Sequence, residues 1–253
     1  MSAGYDTSCT TLSQEGRIYQ LEYAEKAIEN ASTAMGIVFQ DGVVLISEKI
    51  RQSKAIVYGS NPTIYSVAPH IGIAICGLIP DGRNLVSRAK LEAAEYLRTF
   101  GIEISGQILA ERLSIYVHAH TCHWGARPFG CCVLISSYDI DNKYHLYMLE
   151  TTGNFFEYFA TSNGKGRQFI KAEVEKDNFV IRNKNVDEGL NDALKIILKS
   201  YDGEKETEYD VSVISKNTQN LHKLVEGKKI REIINGLKGV IEEEKKKMDV
   251  DKS

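Results

Sequence analysis

The sequence predicts an α+β fold in which two antiparallel β-sheets lie face to face between helices, a four-layer αββα sandwich with an added N-terminal helix. Three observations predict it. Short β-branched runs come in blocks, each block followed by two helical stretches, and this order occurs twice along 253 residues. The runs are apolar at consecutive positions, as in strands covered on both faces. A helix-forming stretch with two sticky stripes precedes the first strand.

That stretch runs from Leu12 to Thr33. Ser13 and Gly16 predict a turn, and from Arg17 onward good helix formers continue without Gly or Pro until Gly36. On a helix starting near Arg17, Ile18, Leu21, Ala24 and Ile28 share one side, while Tyr19, Tyr23 and Ala27 form a neighbouring stripe. One core face needs only one of these. The second stripe therefore predicts contact with another subunit.

Ala34 to Phe39 and Val43 to Ile46 predict a hairpin around Asp41-Gly42, a type I′ turn signal. Runs at Ile64 to Val67 and Ile71 to Cys76 are expected to extend the same sheet. A helix then runs from Asp81, as N-cap, to Phe100 before Gly101, and a second from about Ser105 to Cys122. Cys131 to Ser137, Tyr144 to Glu150 and Phe155 to Ala160 predict a meander. Helices follow near Gly166 to Lys176 and Asp187 to Ser200, then strands at Tyr209 to Ile214 and near Leu221 to Val225. The last helix carries one stripe, Ile230, Ile233, Ile234, Leu237, Val240 and Ile241, and Glu242 to Lys247 is a solvated charged block.

Composition narrows the function classes. With 43% hydrophobic residues and no Pro/Gly/Ser-rich linker, one domain over residues 1–253 is favoured. A formal charge of -3 without a basic stripe points away from nucleic acid. Five cysteines without a Cys-x-x-Cys pair read as reduced thiols, and no signal-peptide pattern or membrane-length apolar run occurs. A cytoplasmic and nuclear protein is expected, with no membrane partner and no cofactor.

Three clusters have residue types suited to chemistry. His118, His120, Cys122 and His123 have metal-like identities, but the 118/122 and 120/123 pairs point in different directions on a helix, so no metal is expected. Ser162-Asn163-Gly164-Lys165-Gly166-Arg167 lacks the order of a phosphate cradle and reads as a strand-to-helix turn. Tyr5-Asp6, an aromatic beside an acid, stands out in an otherwise featureless tail of residues 1–11.

Tyr5-Asp6, Ser13-x-x-Gly16-Arg17-x-x-Gln20-x-Glu22-Tyr23-Ala24 and Ser32-Thr33-Ala34-x-Gly36-Ile37 together resemble the N-terminal signature of 20S proteasome α subunits. The likeness continues through Asp41-Gly42-Val43-Val44, Gly59-Ser60-Asn61 and Arg127-Pro128-Phe129-Gly130, over nearly the whole chain. The resemblance implies the fold of N-terminal-nucleophile hydrolases. It divides the chain into a gate tail (1–11), an N-terminal helix segment (12–31), the body with its last helix (32–241) and a charged tail (242–253).

Catalysis in that fold, as the resemblance implies it, needs a threonine whose own free amine is the base, and a lysine partner. Here the matching segment begins at Ser32 in mid-chain, Thr63 falls where the lysine would be, and Glu48 stands at an acid position. The expectation is a subunit without catalytic residues, the alternative being a threonine or serine hydrolase cleaved before Ser32 or Thr33. The resemblance further implies a seven-membered α ring stacked on β subunits, with Arg17, Gln20, Glu22 and Tyr23 at the ring interface. A pore gate would use Tyr5, Asp6 and Tyr23, with Gln14 where the family has Pro and Leu12 where it has an aromatic residue. An activator pocket would use Gly77 and Thr63, the latter replacing the lysine that pairs with an activator's terminal carboxylate. Regulatory particles or activators are the remaining expected partners, in ATP- and ubiquitin-dependent protein degradation.

Overall fold

The computed structural model describes residues 4–176, 183–200 and 206–250, with residues 238 and 240–250 described for their backbone alone. The chain forms α1 (Tyr19–Glu29), β1 (Ala34–Phe39), β2 (Gly42–Ile50), β3 (Ile64–Ala68), β4 (Ile71–Gly77), α2 (Ile79–Phe100), α3 (Gly106–Cys122) and β5 (Cys131–Tyr138). It continues with β6 (Tyr144–Leu149), β7 (Phe155–Glu157), β8 (Ala160–Asn163), α4 (Arg167–Lys176), α5 (Val186–Lys199), β9 (Thr207–Ser215), β10 (Lys223–Leu224) and α6 (Gly227–Val250). Among the described residues the strands pair antiparallel throughout, in two five-stranded sheets ordered β10-β9-β2-β1-β8 and β3-β4-β5-β6-β7.

Strand alternation explains the doubly apolar runs. Met35, Ile37 and Phe39 of β1 with Val44 and Ile46 of β2 turn toward α4, α5 and α6, where they meet Ile170, Leu194 and Ile230. Ala34, Val43 and Leu45 turn the other way, onto Ala74, Leu134, Leu146 and Met148 of the second sheet. Neither face is left for water. Gly36 sits on this inner face, where a Cβ would lie 2.6 Å from a methyl of Leu146, so only glycine lets the sheets approach this closely. The second sheet's outer face packs Ile73, Ile75, Val133 and Ile135 against Leu85, Ala89, Leu109 and Leu113 of α2 and α3. The four layers are thus helices, sheet, sheet, helices.

Several expectations change. The hairpin β3–β4 joins the second sheet, not the first, because residues 51–63 carry the chain across the sandwich, and adjacency in sequence does not say which sheet a hairpin enters. Phe155 to Ala160 is not one strand: β7 pairs with β6 in one sheet and β8 with β1 in the other. At the crossing, the Tyr158 N–H donates to Leu146 O at 2.8 Å, and the Val38 N–H to Phe159 O at 2.7 Å.

Asp41-Gly42 is not a type I′ turn, since Phe39 pairs with Gly42 and neither Gln40 nor Asp41 has a positive φ. Asp41 instead accepts the Val186 N–H at 2.7 Å, anchoring the start of α5. Nor does Asp81 cap α2. That helix begins at Ile79 with Leu78 at the N-cap, and the Asp81 carboxylate, in the first turn, takes Arg127 at 2.6 and 2.8 Å and the Gly130 N–H at 2.9 Å. The Arg127 hydrogen bond holds the Asp81 carboxyl below its usual range. In α6, Ile230 and Ile234 are buried and Ile233 and Leu237 pack beside them, whereas the side chains of Val240, Ile241 and the Glu242 to Lys247 block lie outside the described residues.

Candidate functional site

The first helix and its lead-in form the first part of the site. Helix α1 begins at Tyr19, two residues beyond Arg17, with Ile18 extended at the N-cap. Its Ala24 and Ile28 are buried where the helix lies across β4 and β5, while Ile18 and Leu21 are half-buried. Tyr23, 48% exposed, stacks on Tyr19 with ring centroids 6.4 Å apart. Of the expected second stripe, Tyr23 is exposed and Tyr19 and Ala27 are half-buried.

Ahead of it, the Gly16 N–H donates to Ser13 O at 2.9 Å, the Ser13 N–H to Arg17 O at 2.9 Å and the Arg17 N–H to Ser13 Oγ at 3.0 Å. Arg17 then forks onto Glu22 with Nε–Oε1 of 2.6 Å and a second nitrogen 2.5 Å from Oε2, which holds the Glu22 carboxyl below its usual range. The Gln20 amide donates to Asp6 O, tying the tail to the helix. Arg17, Gln20 and Glu22 thus stabilise the lead-in within the chain.

The gate residues are not brought together in the same way. Tyr5 and Asp6 are half-buried, Gln14 is exposed on the turn, and no hydrogen bond or ring contact joins the Tyr5, Asp6, Gln14 and Tyr23 side chains among the described residues. What anchors the tail is a residue that sequence reasoning missed. Cys9 is buried, its thiol 3.3 Å from His123 O and 3.6 Å from Ala126 O beyond α3.

The second part is the hydrolase-like position. Ser32 and Thr33 continue directly from α1 into β1, and Thr33 is 2% exposed. Its nitrogen is a peptide N–H that donates to Glu48 Oε2 at 3.2 Å, its carbonyl accepts the Glu48 N–H at 2.8 Å, and its hydroxyl accepts the Gly166 N–H at 3.1 Å. Gly164, at φ +98°, passes so close that a Cβ would lie 2.8 Å from Ser32 O. Burial raises the Glu48 carboxyl, and hydrogen bonds from Thr33 oppose that rise. An amide nitrogen has no lone pair to take a proton, so this group cannot act as the base that such a hydrolase needs.

The third part lies at the start of β3. Thr63 is buried, donating its N–H at 2.8 Å and its hydroxyl at 3.0 Å to Asp210 Oδ2. Asp210 is shared with Lys49, whose Nζ lies 2.7 Å from Oδ1 and 3.4 Å from Glu208. Gly77 stands at the same end of the β3–β4 hairpin, since the Ile75 N–H bonds to Thr63 O. Neither residue lines the groove of about 900 Å³ beside them.

The histidine cluster and the glycine-rich turn stay apart from these parts. Cys122 Sγ lies 3.4 Å from His118 Nε2 but His120 turns to Tyr116 O, and among the described residues no group of three or more His, Cys, Asp or Glu is placed to hold a metal. Ser162 and Asn163 end β8, and Gly164 to Gly166 form the β8–α4 turn that closes over Thr33. All five cysteines are free thiols.

A helix-prefixed αββα sandwich, with the terminal-nucleophile position locked in mid-chain, defines a protein of the N-terminal-nucleophile hydrolase architecture. Residues 28–214 match the family model for a proteasome subunit, and residues 5–27 match the A-type N-terminal signature of proteasome subunits. The chain belongs to the proteasome subunit family, on its α-type side. It is 44% identical over 213 residues to the alpha type-3 proteasome subunit of Oryza sativa subsp. japonica, covering 84% of each chain. It is 40% identical over 253 residues to the alpha type-3 subunit of Arabidopsis thaliana, covering 99% of each. A probable alpha type-7 proteasome subunit of Saccharomyces cerevisiae is 40% identical over 239 residues, with 92% of this chain and 82% of the relative covered.

Proposed function

We propose that this chain is a non-catalytic structural and gating subunit of a seven-membered α ring in the 20S proteasome, working in ATP- and ubiquitin-dependent protein degradation in cytoplasm and nucleus. The observation that carries the reading is the Thr33 nitrogen. It is an amide bonded to Glu48, with α1 continuing upstream and docked on β4 and β5. Activity would require cutting the chain at Ser32 or Thr33 and removing the helix that covers the sheet. Among the described residues no helix is long and apolar enough to cross a membrane.

In this reading the Tyr19–Tyr23 face, with Arg17, Gln20 and Glu22 bracing its lead-in, meets the adjoining α subunit, and the ring stacked on it is made of β subunits. The tail up to Cys9 contributes to closing the pore with Tyr5 and Asp6, and Gln14 leaves its turn less firmly set than a proline would. Regulatory particles dock between subunits, near Gly77 and Thr63. The chain acts as one domain over its length and uses no cofactor.

Intact mass of the chain within the purified native assembly tests the proposal. A chain that keeps α1, in a particle of ring mass with other α-type subunits, is the expected result. A chain beginning at Ser32 or Thr33 makes it a hydrolase, and a monomer on sizing makes it a free-standing module.

A further inference from the structure

Helix α1 carries a row of acids, Glu22, Glu25 and Glu29, at spacings that place them along one side. Arg17 neutralises Glu22 alone. Glu25 and Glu29 line a cavity of about 230 Å³ with Glu150 and Thr151, from the turn after β6, as part of the opposite wall. None of these three carboxylates makes an ion pair or side-chain hydrogen bond among the described residues. The Glu25 carboxyl is held above its usual range by burial first, then by Glu150, Glu29 and Glu22.

A second, independent feature points to an occupant. Thr151 is 1% exposed, lines this cavity, and among the described residues its Oγ1 has no hydrogen-bond partner. An orphaned buried hydroxyl is costly, and a group seated against a residue that lines a cavity can supply the missing partner. Among the described residues Arg167 is the one cation on the wall and forms no ion pair, and its pull on Glu25 is the weakest of the influences acting there. A bare metal ion is a poor match: among the described residues no three carboxylates converge as ligands, and the volume far exceeds the ~10–15 Å³ that one water needs.

We infer that this cavity receives a basic side chain from the adjoining subunit of the ring, held between Glu25, Glu29 and Glu150 with Thr151 Oγ1 as a further acceptor. The inference rests on the α-ring reading and names the chemistry of that interface. A guanidinium suits it best, since its five N–H donors can serve carboxylates on two elements and a hydroxyl at once. Charge and position agree. The acids lie on the helix that exposes Tyr23 beside a half-buried Tyr19, so the aromatic pair would supply contact area and the acidic row would set register.

The test begins with a high-resolution structure of the native particle. An arginine or lysine nitrogen of an adjoining chain within about 4 Å of the Glu25, Glu29 or Glu150 carboxylate is the expected finding. Solvent, a metal ion or Arg167 filling the cavity overturns the inference. A triple variant, Glu25→Gln, Glu29→Gln and Glu150→Gln, should need roughly tenfold more protein for half-maximal ring formation at ~0.05 M salt, with the difference gone at ~0.5 M. Removing like charges should leave the melting temperature of the free chain unchanged or higher. Equal assembly of variant and unmodified chain at both salts overturns the inference and leaves the ring reading standing. Failure of the unmodified chain to enter any ring strikes the ring reading itself.

Discussion

Thr33 and Glu48 clasp each other twice across β1 and β2: the Thr33 N–H reaches Glu48 Oε2 at 3.2 Å, and the Glu48 N–H returns to Thr33 O at 2.8 Å. In a chain that began at this threonine the nitrogen would be a free amine. Here it is one more backbone donor satisfied by a buried carboxyl, and the position serves the junction between α1 and the sandwich.

Glu48 makes stability depend on pH in an unusual direction. Its other oxygen, Oε1, is buried without a partner among the described residues, and burial raises the carboxyl above its ordinary 4.5. The folded state therefore holds a proton that the unfolded state has released, so this contribution is full below pH 4.5 and is lost as pH rises through the folded value. Glu48→Gln keeps an acceptor for Thr33 and cannot ionise. Its melting temperature relative to the unmodified chain should climb as the pH rises above 4.5; a difference that stays flat with pH would show that Glu48 is not perturbed.

His222 acts in the opposite sense. It is buried against the β3–β4 hairpin, its Nδ1 2.6 Å from Ser66 Oγ and its Nε2 without a partner among the described residues, and a Cβ on Gly72 would lie 2.1 Å from the ring. Protonation would place a charge, with N–H donors on both ring nitrogens, in this buried site. Burial lowers the imidazole from 6.5 to about 4. The neutral ring's contribution is present above pH 6.5 and is lost as pH falls toward 4, up to about 3 kcal/mol at ~1.36 kcal/mol per unit. NMR titration of the ring should show no protonation at about pH 5.5; a midpoint near 6.5 would refute this.

The elements were legible wherever period and turn chemistry acted locally. Ser105 caps α3 by accepting the Ile108 N–H at 3.3 Å, Gly101 ends α2 in the left-handed conformation, and α1, β1 and β2 lie close to where their patterns put them. Sheet membership was not legible. The β3–β4 and β1–β2 hairpins have the same apolar character, and only the path of residues 51–63 sends them to different sheets. Asp81 reads as a cap until Arg127, 46 residues away, is seen to claim it. Around the site, Arg17, Gln20 and Glu22 stood out as a motif, whereas Thr151 and Glu150 carry no local signal. The i,i+4 pair Glu25 and Glu29 was the one cue to the acidic cavity, and by itself it looks like an ordinary wet helix face.

Gln14 occupies the second position of the Ser13–Gly16 turn closed by the 2.9 Å bond from the Gly16 N–H to Ser13 O, and no backbone hydrogen bond from its own N–H is present among the described residues. A proline is compatible there and would restrict φ without losing a donor's partner. Gln14→Pro should stabilise the turn by about 0.4–1 kcal/mol. In a reconstituted ring it should raise basal peptide hydrolysis by favouring the ordered open tail. Unchanged basal hydrolysis would count against a role for this turn in gating.

Thr63 predicts a weak docking pocket. An activator's terminal carboxylate arriving at this end of β3 meets Asp210 and Glu208, and the nearby cation, Lys49, is already held by both. Thr63 itself donates to Asp210 and offers no charge. Losing a charge-assisted bond of roughly 1.5–3 kcal/mol corresponds to about ten- to a hundredfold weaker binding. Crosslinking of activator tails in assembled particles should thus be weak at Thr63 and strong at pockets that keep a free lysine. Asp210→Asn retains an acceptor for Thr63 while loosening Lys49, and should recover part of the signal. Efficient crosslinking at Thr63 in the unmodified particle, or none gained with Asp210→Asn, would mean that the charge at this position does not govern docking.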